Sequence, residues 1–220
     1  VFKEIRVNDI KKKKNILIKF SNISFDKITD LDIFEPKSLN WMYLKRNNNE
    51  LKADRPTLEE NNNIPKLPFS FLLENIRSVH NVGSVFRTSD GVGCEKIYLS
   101  GYTAFPPRKD LSKVALGSEN SVYWEQFDDP LEAAKHIKNN NIKLVALEQT
   151  YSSESIFNFN WEFPACIVLG NEVKGISEEL LLMSDYSVEI PMQGIKQSLN
   201  VSVAAGVVGY QILNYYNNKI

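Results

Sequence analysis

The sequence has few residues that could form disulfide bonds or ligate metal ions. Among 220 residues there are two cysteines, Cys94 and Cys166, and two histidines. The cysteines lie far apart and lack the close pairing typical of zinc sites, so the sequence predicts neither a disulfide scaffold nor a metal centre. No apolar run approaches the roughly 20 residues of a membrane span, and no secretory signal pattern is found. We therefore expect a cytoplasmic protein with no membrane partner.

A strong net charge is also absent. The formal net charge is −1, which excludes a uniformly basic nucleic-acid coat. The charge is uneven, however. Residues 1–66 carry 14 Lys and Arg against 10 Asp and Glu (+4), whereas residues 67–220 carry 12 against 17 (−5). Residues 1–66 are therefore a candidate arm for an anionic partner such as RNA, and the alternative is an ordinary solvated surface rich in lysine and asparagine.

Residues 67–220 alternate between short apolar runs and helical stretches. Strands are predicted at 69–73, 96–99, 143–147, 165–169 and 187–190, and helices at 82–92, 131–139, 177–183 and 199–216. The alternation predicts an α/β domain with a parallel sheet covered on both faces. Residues 1–66 are predicted to be a weakly patterned N-terminal extension, with a short strand at 16–20 and a polar linker at 54–65.

Sequence fingerprints of nucleotide-binding loops are missing. There is no P-loop, and Gly91 and Gly93 follow a predicted helix rather than a strand, which indicates a helix C-cap. The absence of these loops argues against a small-molecule nucleotide-binding enzyme.

The first of three polar loops, residues 75–87, follows the first predicted strand of the domain. We expect a helix to begin near Asn81, so that Asn81, Ser84 and Arg87 share one face. A helix start with an arginine suits a phosphate, and Gly83 would let a ligand approach the backbone. The alternative is a surface helix with a solvated arginine. His80 is interpreted as a loop residue rather than a base.

The second loop, residues 169–177, follows the most apolar strand. Gly170 would permit close approach of a ligand to the strand end, and Glu172 is a carboxylate carried on the loop. A role for Glu172 in a ligand site is the preferred interpretation. The alternative is an exposed loop carboxylate or the partner of an arginine.

The third loop, residues 190–200, leads into an apolar helix. Ser198 occupies the expected N-cap position, and Asn200 is a second polar candidate. Ile190, Met192 and Leu199 are interpreted either as the wall of an apolar pocket or as turn and core residues. The helix at 199–216 is apolar on most sides, so we expect one face on the sheet and another on a second subunit.

In order and spacing these loops resemble the three motifs of the SpoU-type RNA 2′-O-methyltransferases of the SPOUT superfamily. The matching segments are 81–88 (Asn-Val-Gly-Ser-Val-Phe-Arg-Thr), 168–176 (Val-Leu-Gly-Asn-Glu-Val-Lys-Gly-Ile) and 190–205, which contains Ile-Pro-Met-Gln-Gly and Ser-Leu-Asn-Val-Ser-Val-Ala-Ala. The resemblance extends from about residue 69 to the C-terminus. Residues 101–124 also resemble the branch that methylates guanosine ribose in tRNA.

The resemblance implies a parallel-sheet SPOUT fold with a C-terminal trefoil knot, a homodimer with sites at the subunit interface, and S-adenosyl-L-methionine as cofactor. Arg87 would contact the RNA phosphate and activate the ribose hydroxyl, Asn81 and Asn200 would orient Arg87 and the ribose, and Glu172 would hold Arg87 or the incoming nucleotide across the dimer. Ser198 would hydrogen-bond within the site. The implied cofactor-binding residues are Thr150, Leu169, Gly170, Ile190, Met192 and Leu199.

The function that this resemblance implies is methylation of a ribose 2′-hydroxyl in RNA, with guanosine in tRNA as the favoured substrate. The alternatives are a ribosomal RNA 2′-O-methyltransferase and a non-catalytic RNA-binding protein on the same fold. The matched Arg87, Glu172 and Asn200 argue against the non-catalytic alternative.

Overall fold

The structure is a computed structural model that describes residues 4–9, 14–19 and 45–219. The chain divides into two compact units, Val1–Arg55 and Pro56–Ile220. The first unit contains an antiparallel strand pair, β1 (Glu4–Asp9) and β2 (Lys14–Lys19), and helix α1 (Asn48–Ala53). The predicted strand at 16–20 overlaps β2, and its last residue lies outside the described residues.

The second unit begins before the predicted domain start. Residues 54–65, expected to be a linker, contain helix α2 (Leu58–Asn63), which a capping box between Thr57 and Glu60 stabilises. The Asn61 amide donates to the Ser121 carbonyl at 3.3 Å, and Lys66 donates to the Asn61 side chain at 2.8 Å. Residues 56–66 are therefore part of this unit, and an RNA-binding role for residues 1–66 stays a prediction.

The centre of the second unit is a seven-stranded sheet in which every neighbouring pair is parallel. Its strands lie in the order β5-β4-β3-β8-β6-β9-β7. They are β3 (Leu67–Glu74), β4 (Cys94–Ser100), β5 (Tyr123–Phe127), β6 (Lys143–Leu147), β7 (Glu154–Ser155), β8 (Ala165–Leu169) and β9 (Tyr186–Glu189). Strand β8 is buried along its whole length, as expected for a central parallel strand. The predicted α/β architecture is confirmed.

Helices cover both faces of this sheet, and two apolar layers result. One layer packs against α3 (Val79–Val92), α4 (Lys109–Ala115) and α7 (Val201–Lys219). The other packs against α5 (Pro130–Asn139) and α6 (Glu178–Met183). Among the described residues, we find no helix that could span a membrane.

The strand order creates a place for a ligand. From β3 the chain runs through α3 to β4 on one side, whereas from the neighbouring β8 it runs through α6 toward β9 on the other. In parallel sheets such a reversal opens a crevice at the carboxyl ends of the two strands. The first and second polar loops follow β3 and β8 and meet there.

The trefoil knot stays a prediction.

Candidate active site

A cavity of about 670 Å³ lies at the carboxyl ends of β6, β8 and β9, beside the start of α7. This volume is typical of small-molecule sites. All six residues predicted to bind the cofactor line the cavity: Thr150, Leu169, Gly170, Ile190, Met192 and Leu199. The wall also contains Glu172, Ser198 and Asn200, three of the five residues predicted for catalysis, whereas Asn81 and Arg87 lie outside it.

Hydrogen bonds connect the three polar loops around one carboxylate, that of Glu172. It accepts from the backbone N–H groups of Arg77 (2.9 Å) and Ser78 (3.0 Å) and from the Asn81 side-chain amide (2.9 Å). The Asn200 amide then donates to the Asn81 side-chain oxygen at 3.1 Å. Glu172, Asn81 and Asn200 thus form one network across the site.

The environment of Glu172 keeps it ionised. Partial burial raises its pKa, but the hydrogen bonds from Arg77, Asn81 and Ser78 outweigh burial and hold the pKa below its ordinary value. A carboxylate with a lowered pKa is a weak base. Glu172 also lies beside the N-terminus of α3, where the sequence led us to expect a phosphate, and its oxygens accept the N–H groups of Arg77 and of the N-cap residue Ser78.

Arg87 lies two turns along α3 from Asn81, with its side chain exposed to solvent. Within the part of the chain that the structure describes, its guanidinium makes no hydrogen bond or ion pair, so neither Glu172 nor Asn81 holds it in the same subunit. The free guanidinium can therefore bind an external anion.

The start of α7 differs from the prediction. The helix begins at Val201, and its cap is Asn200 rather than Ser198: the Asn200 side chain accepts from the Ser202 N–H at 2.9 Å, and its carbonyl accepts from the Ala204 N–H at 2.9 Å. Ser198 is exposed, lines the cavity and makes no hydrogen bond among the described residues. Asparagine is as good a cap as serine, so sequence alone could not separate the two.

The glycines of the first two loops serve packing within the chain. A Cβ at Gly170 would overlap the backbone of Gly175 and Ile176, because the loop after β8 folds back on itself. A Cβ at Gly83 would lie 2.8 Å from the Cβ of Val114 on α4. We expected both glycines to let a ligand come close. Instead, Gly170 makes room for the backbone of its own loop, and Gly83 makes room for helix α4.

Comparison with known proteins places these loops in one family. The model of the SpoU rRNA Methylase family matches residues 68–210, which include all three loops. The chain belongs to the SpoU rRNA methylase family.

Relatives in this family include named tRNA enzymes. The tRNA (guanosine(18)-2′-O)-methyltransferase of Aquifex aeolicus is 33% identical over 139 residues, which cover 63% of this chain and 65% of that protein. The enzyme of the same name from Thermus thermophilus is 31% identical over 160 residues, 73% of this chain and 81% of that protein. The crystal structure of the A. aeolicus TrmH/SpoU tRNA modifying enzyme has a TM-score of 0.66 at 28% identity, covering 74% of this chain and 83% of that one. The chain therefore spans slightly less than two thirds of the Aquifex relative in the sequence alignment.

Sequence reasoning missed a carboxylate in the wall of this SpoU-family cavity, that of Glu148. It follows β6 and accepts from the N–H groups of Gln149 (3.0 Å) and Ile176 (3.1 Å), so it ties the loop after β6 to the loop after β8. Its position as a charged residue directly after a buried parallel strand is the sequence feature that could have identified Glu148.

A group of hydroxyls fixes the position of Thr150 beside Glu148. The Ser153 hydroxyl lies 2.9 Å from that of Thr150 and 2.8 Å from that of Ser187, and it donates to the Glu148 carbonyl at 2.7 Å. These bonds hold the loop after β6 in one conformation at the cavity wall.

Titratable side chains elsewhere are poor candidates for catalysis. Burial raises the pKa of the Cys94 thiol to about 12 and also raises that of Cys166, so both stay protonated and unreactive near neutral pH. His80 is exposed on α3. Over residues 45–219 and the two N-terminal strands, no three His, Cys, Asp or Glu side chains converge to hold a metal ion.

Proposed function

We propose that the protein transfers a methyl group from S-adenosyl-L-methionine to a ribose 2′-hydroxyl in RNA, with guanosine in tRNA as the substrate. Membership of the SpoU family and relatives named for this reaction support the proposal. The single observation that carries it is that the second and third motif loops line one cavity and the Glu172–Asn81–Asn200 network joins the first motif loop to them.

The cavity suits this cofactor chemically. Ile190, Met192 and Leu199 supply an apolar wall for the adenine, and the ends of β6 and β8 supply backbone groups for polar recognition. The half-buried carboxylate of Glu148 adds a negative charge that favours a cationic ligand. When bound, the cofactor supplies a sulfonium methyl group that passes to the ribose oxygen as the hydroxyl loses its proton.

The remaining catalysis consists of orientation and electrostatics. Arg87 binds the RNA phosphate and stabilises the developing negative charge on the hydroxyl oxygen. It does not act as a base, because an arginine guanidinium stays protonated in proteins. Asn81 and Asn200 orient the ribose, and Glu172 acts by fixing Asn81 and the start of α3.

A homodimer with a composite site would bring Arg87 to the cavity. Arg87 lies outside the cavity of its own chain, so a second copy would have to supply it there. Helix α7 presents an exposed face with Val203 and Tyr210, and a Cβ at Gly206 between them would meet nothing within 4 Å. An apolar helix face open to close approach is suited to a second copy of the same helix.

The function is tested by transfer of labelled methyl groups to total tRNA and, separately, to ribosomal RNA lacking its natural modifications. We expect labelled tRNA, and Arg87→Ala should lower the rate at least about 100-fold with cofactor binding retained. Label in ribosomal RNA alone would contradict the tRNA assignment. Cofactor binding without label in either RNA would contradict the enzymatic proposal and favour a non-catalytic RNA-binding protein.

A further inference from the structure

A second depression lies beside the candidate active site. The segment that follows β4 lines a volume of about 350 Å³ and presents two aromatic rings to solvent, those of Tyr102 (63% exposed) and Phe105 (43% exposed). The Phe105 ring is supported from below by Trp124, at a centroid distance of 6.4 Å and an interplanar angle of 31°. Neither ring has a role in the mechanism proposed above.

The Tyr102 ring is held in place without being buried. Its backbone N–H donates to the Asn75 side-chain oxygen at 3.3 Å, and its hydroxyl accepts from the Asn171 amide at 2.7 Å. Gly101, at φ +64°, gives the Asn75 side chain the space that a Cβ would occupy. An exposed aromatic ring fixed at both ends is organised in advance for a flat partner, since binding costs it little further conformational entropy.

Tyr102 is coupled to the catalytic loops through Asn171. The Asn171 amide donates both to Tyr102 and to the Asn75 carbonyl (2.7 Å), and Asn171 itself lines the cofactor cavity directly before Glu172 in the chain. A ligand on Tyr102 would therefore lie next to the site where the ribose is expected.

The charge around the depression favours an anion. Between residues 101 and 113, Arg108 is paired with Asp110 at 2.7 Å, so Lys109 and Lys113 supply the local excess of positive charge. Residues 67–220 as a whole carry 12 basic against 17 acidic residues. Aromatic rings beside basic side chains are the composition of surfaces that bind single-stranded nucleic acid. A protein partner or a second copy would not need this local excess of positive charge.

We propose that Tyr102 and Phe105 form a base-stacking subsite for an unpaired nucleotide that flanks the methylated one. The inference rests on the proposed function, which makes RNA the ligand of the neighbouring site. An unpaired base is favoured over a duplex because only an unpaired base offers its face to an aromatic ring. The substrate region is accordingly a loop or other single-stranded segment of RNA.

The test measures binding of a short single-stranded RNA that contains 2-aminopurine, whose fluorescence is quenched by stacking. Tyr102→Ala and Phe105→Ala should each weaken binding by about tenfold or more and reduce quenching. Tyr102→Phe keeps the ring and its backbone bond to Asn75 and loses only the hydroxyl bond to Asn171, so it should weaken binding much less than Tyr102→Ala does. Matched controls are Tyr123→Ala and Phe157→Ala, which remove rings that are 56% and 57% exposed elsewhere, and these should change nothing.

Salt dependence separates stacking from charge. Tyr102→Ala should weaken binding equally at all salt concentrations, whereas Lys109→Ala with Lys113→Ala should flatten the dependence of log K on log salt. The proposal is overturned if Tyr102→Phe loses as much affinity as Tyr102→Ala. Tyr102 would then act through its hydroxyl, by positioning Asn171, and not through its ring. It is also overturned if Tyr102→Ala converts an oligomer to monomer, or if neither alanine variant changes binding.

Failure of this inference is distinguishable from failure of the proposed function. If wild type methylates tRNA and Tyr102→Ala leaves the KM for tRNA unchanged, the stacking subsite is wrong and the methyltransferase stands. If wild type methylates no RNA but quenches 2-aminopurine through Tyr102, the subsite stands as an RNA-binding surface and the enzymatic proposal falls.

Discussion

At the scale of single residues, the site depends on contacts between positions that are distant in the sequence. Glu172 receives its hydrogen bonds from residues 91 to 95 positions away. Its place after a buried strand made the carboxylate a predicted site residue, and the structure places it in the wall of the cavity. Its partners were not predictable, because they depend on which strands lie side by side in the sheet.

The Glu172 network predicts a pH-dependent contribution to stability. The folded-state pKa of Glu172 is lowered, so its contribution is present above the unfolded value of about 4.3 and is lost as the pH falls through the folded value. Glu172→Gln should lower the free energy of unfolding by about 1 kcal/mol or less at pH 7, since the carboxylate is largely exposed and screened. Denaturant unfolding should show the difference from wild type shrinking toward pH 3. A difference that is the same at both pH values would contradict the assigned network.

At the scale of elements, the apolar runs identified the central strands, and the bounds of β6 and β8 agree with the prediction. The two strands of the seven-stranded sheet that were missed have a different physical character. Strand β5, at one edge of the sheet, has no buried residue, and β7, at the other edge, has only two residues. Neither produces an apolar run, because an edge strand is stabilised by pairing with one neighbour rather than by burial on both faces. Helix α4 was missed for another reason: it has seven residues, which is too short for its buried positions, Leu111 and Ala115, to form a repeating pattern.

Packing between α3 and α4 gives a prediction at this scale. Gly83→Ala should destabilise the protein by about 1–3 kcal/mol, because the new methyl group meets Val114. Val114→Ala keeps the Cβ that the new methyl group meets, whereas Val114→Gly removes it, so in a double-mutant cycle Gly83→Ala should cost less in the Val114→Gly background, as measured by chemical denaturation. Gly91→Ala on the same helix is the control and should not destabilise the protein in this way, because the nearest atom to the new methyl group is the hydroxyl of the exposed Tyr210 at 3.3 Å. If Gly83→Ala instead weakens RNA binding with stability unchanged, the glycine serves a ligand.

At the scale of the whole molecule, the proposed site is shared between two copies of the chain. Two inactive variants, Arg87→Ala and Asn200→Ala, then carry their defects on opposite sides of each composite site. After mixing and subunit exchange, half of the dimers are mixed and have one intact site, so activity should recover to about one quarter of wild type. Each variant alone serves as the control. If mixing restores no activity although exchange has occurred, Arg87 acts in its own subunit.

The basic first unit permits a second prediction for the whole chain. Residues 1–55 carry 13 Lys and Arg against 8 Asp and Glu, including the run Lys11-Lys12-Lys13-Lys14. If this unit binds RNA, replacing the four lysines by alanine should weaken tRNA binding and reduce the slope of log K against log salt by up to about three units. Cofactor binding should be unchanged. An unaltered slope would show that the unit does not contact RNA phosphates.

Ribose methylation is tested most sharply by locating the transferred methyl group in the RNA. RNA labelled by the enzyme from S-adenosyl-L-methionine would be digested with alkali, which cleaves only next to a free 2′-hydroxyl. We expect label in an alkali-resistant dinucleotide that begins with a ribose-methylated guanosine. Label in a mononucleotide would place the methyl group on a base and contradict the assignment of ribose chemistry.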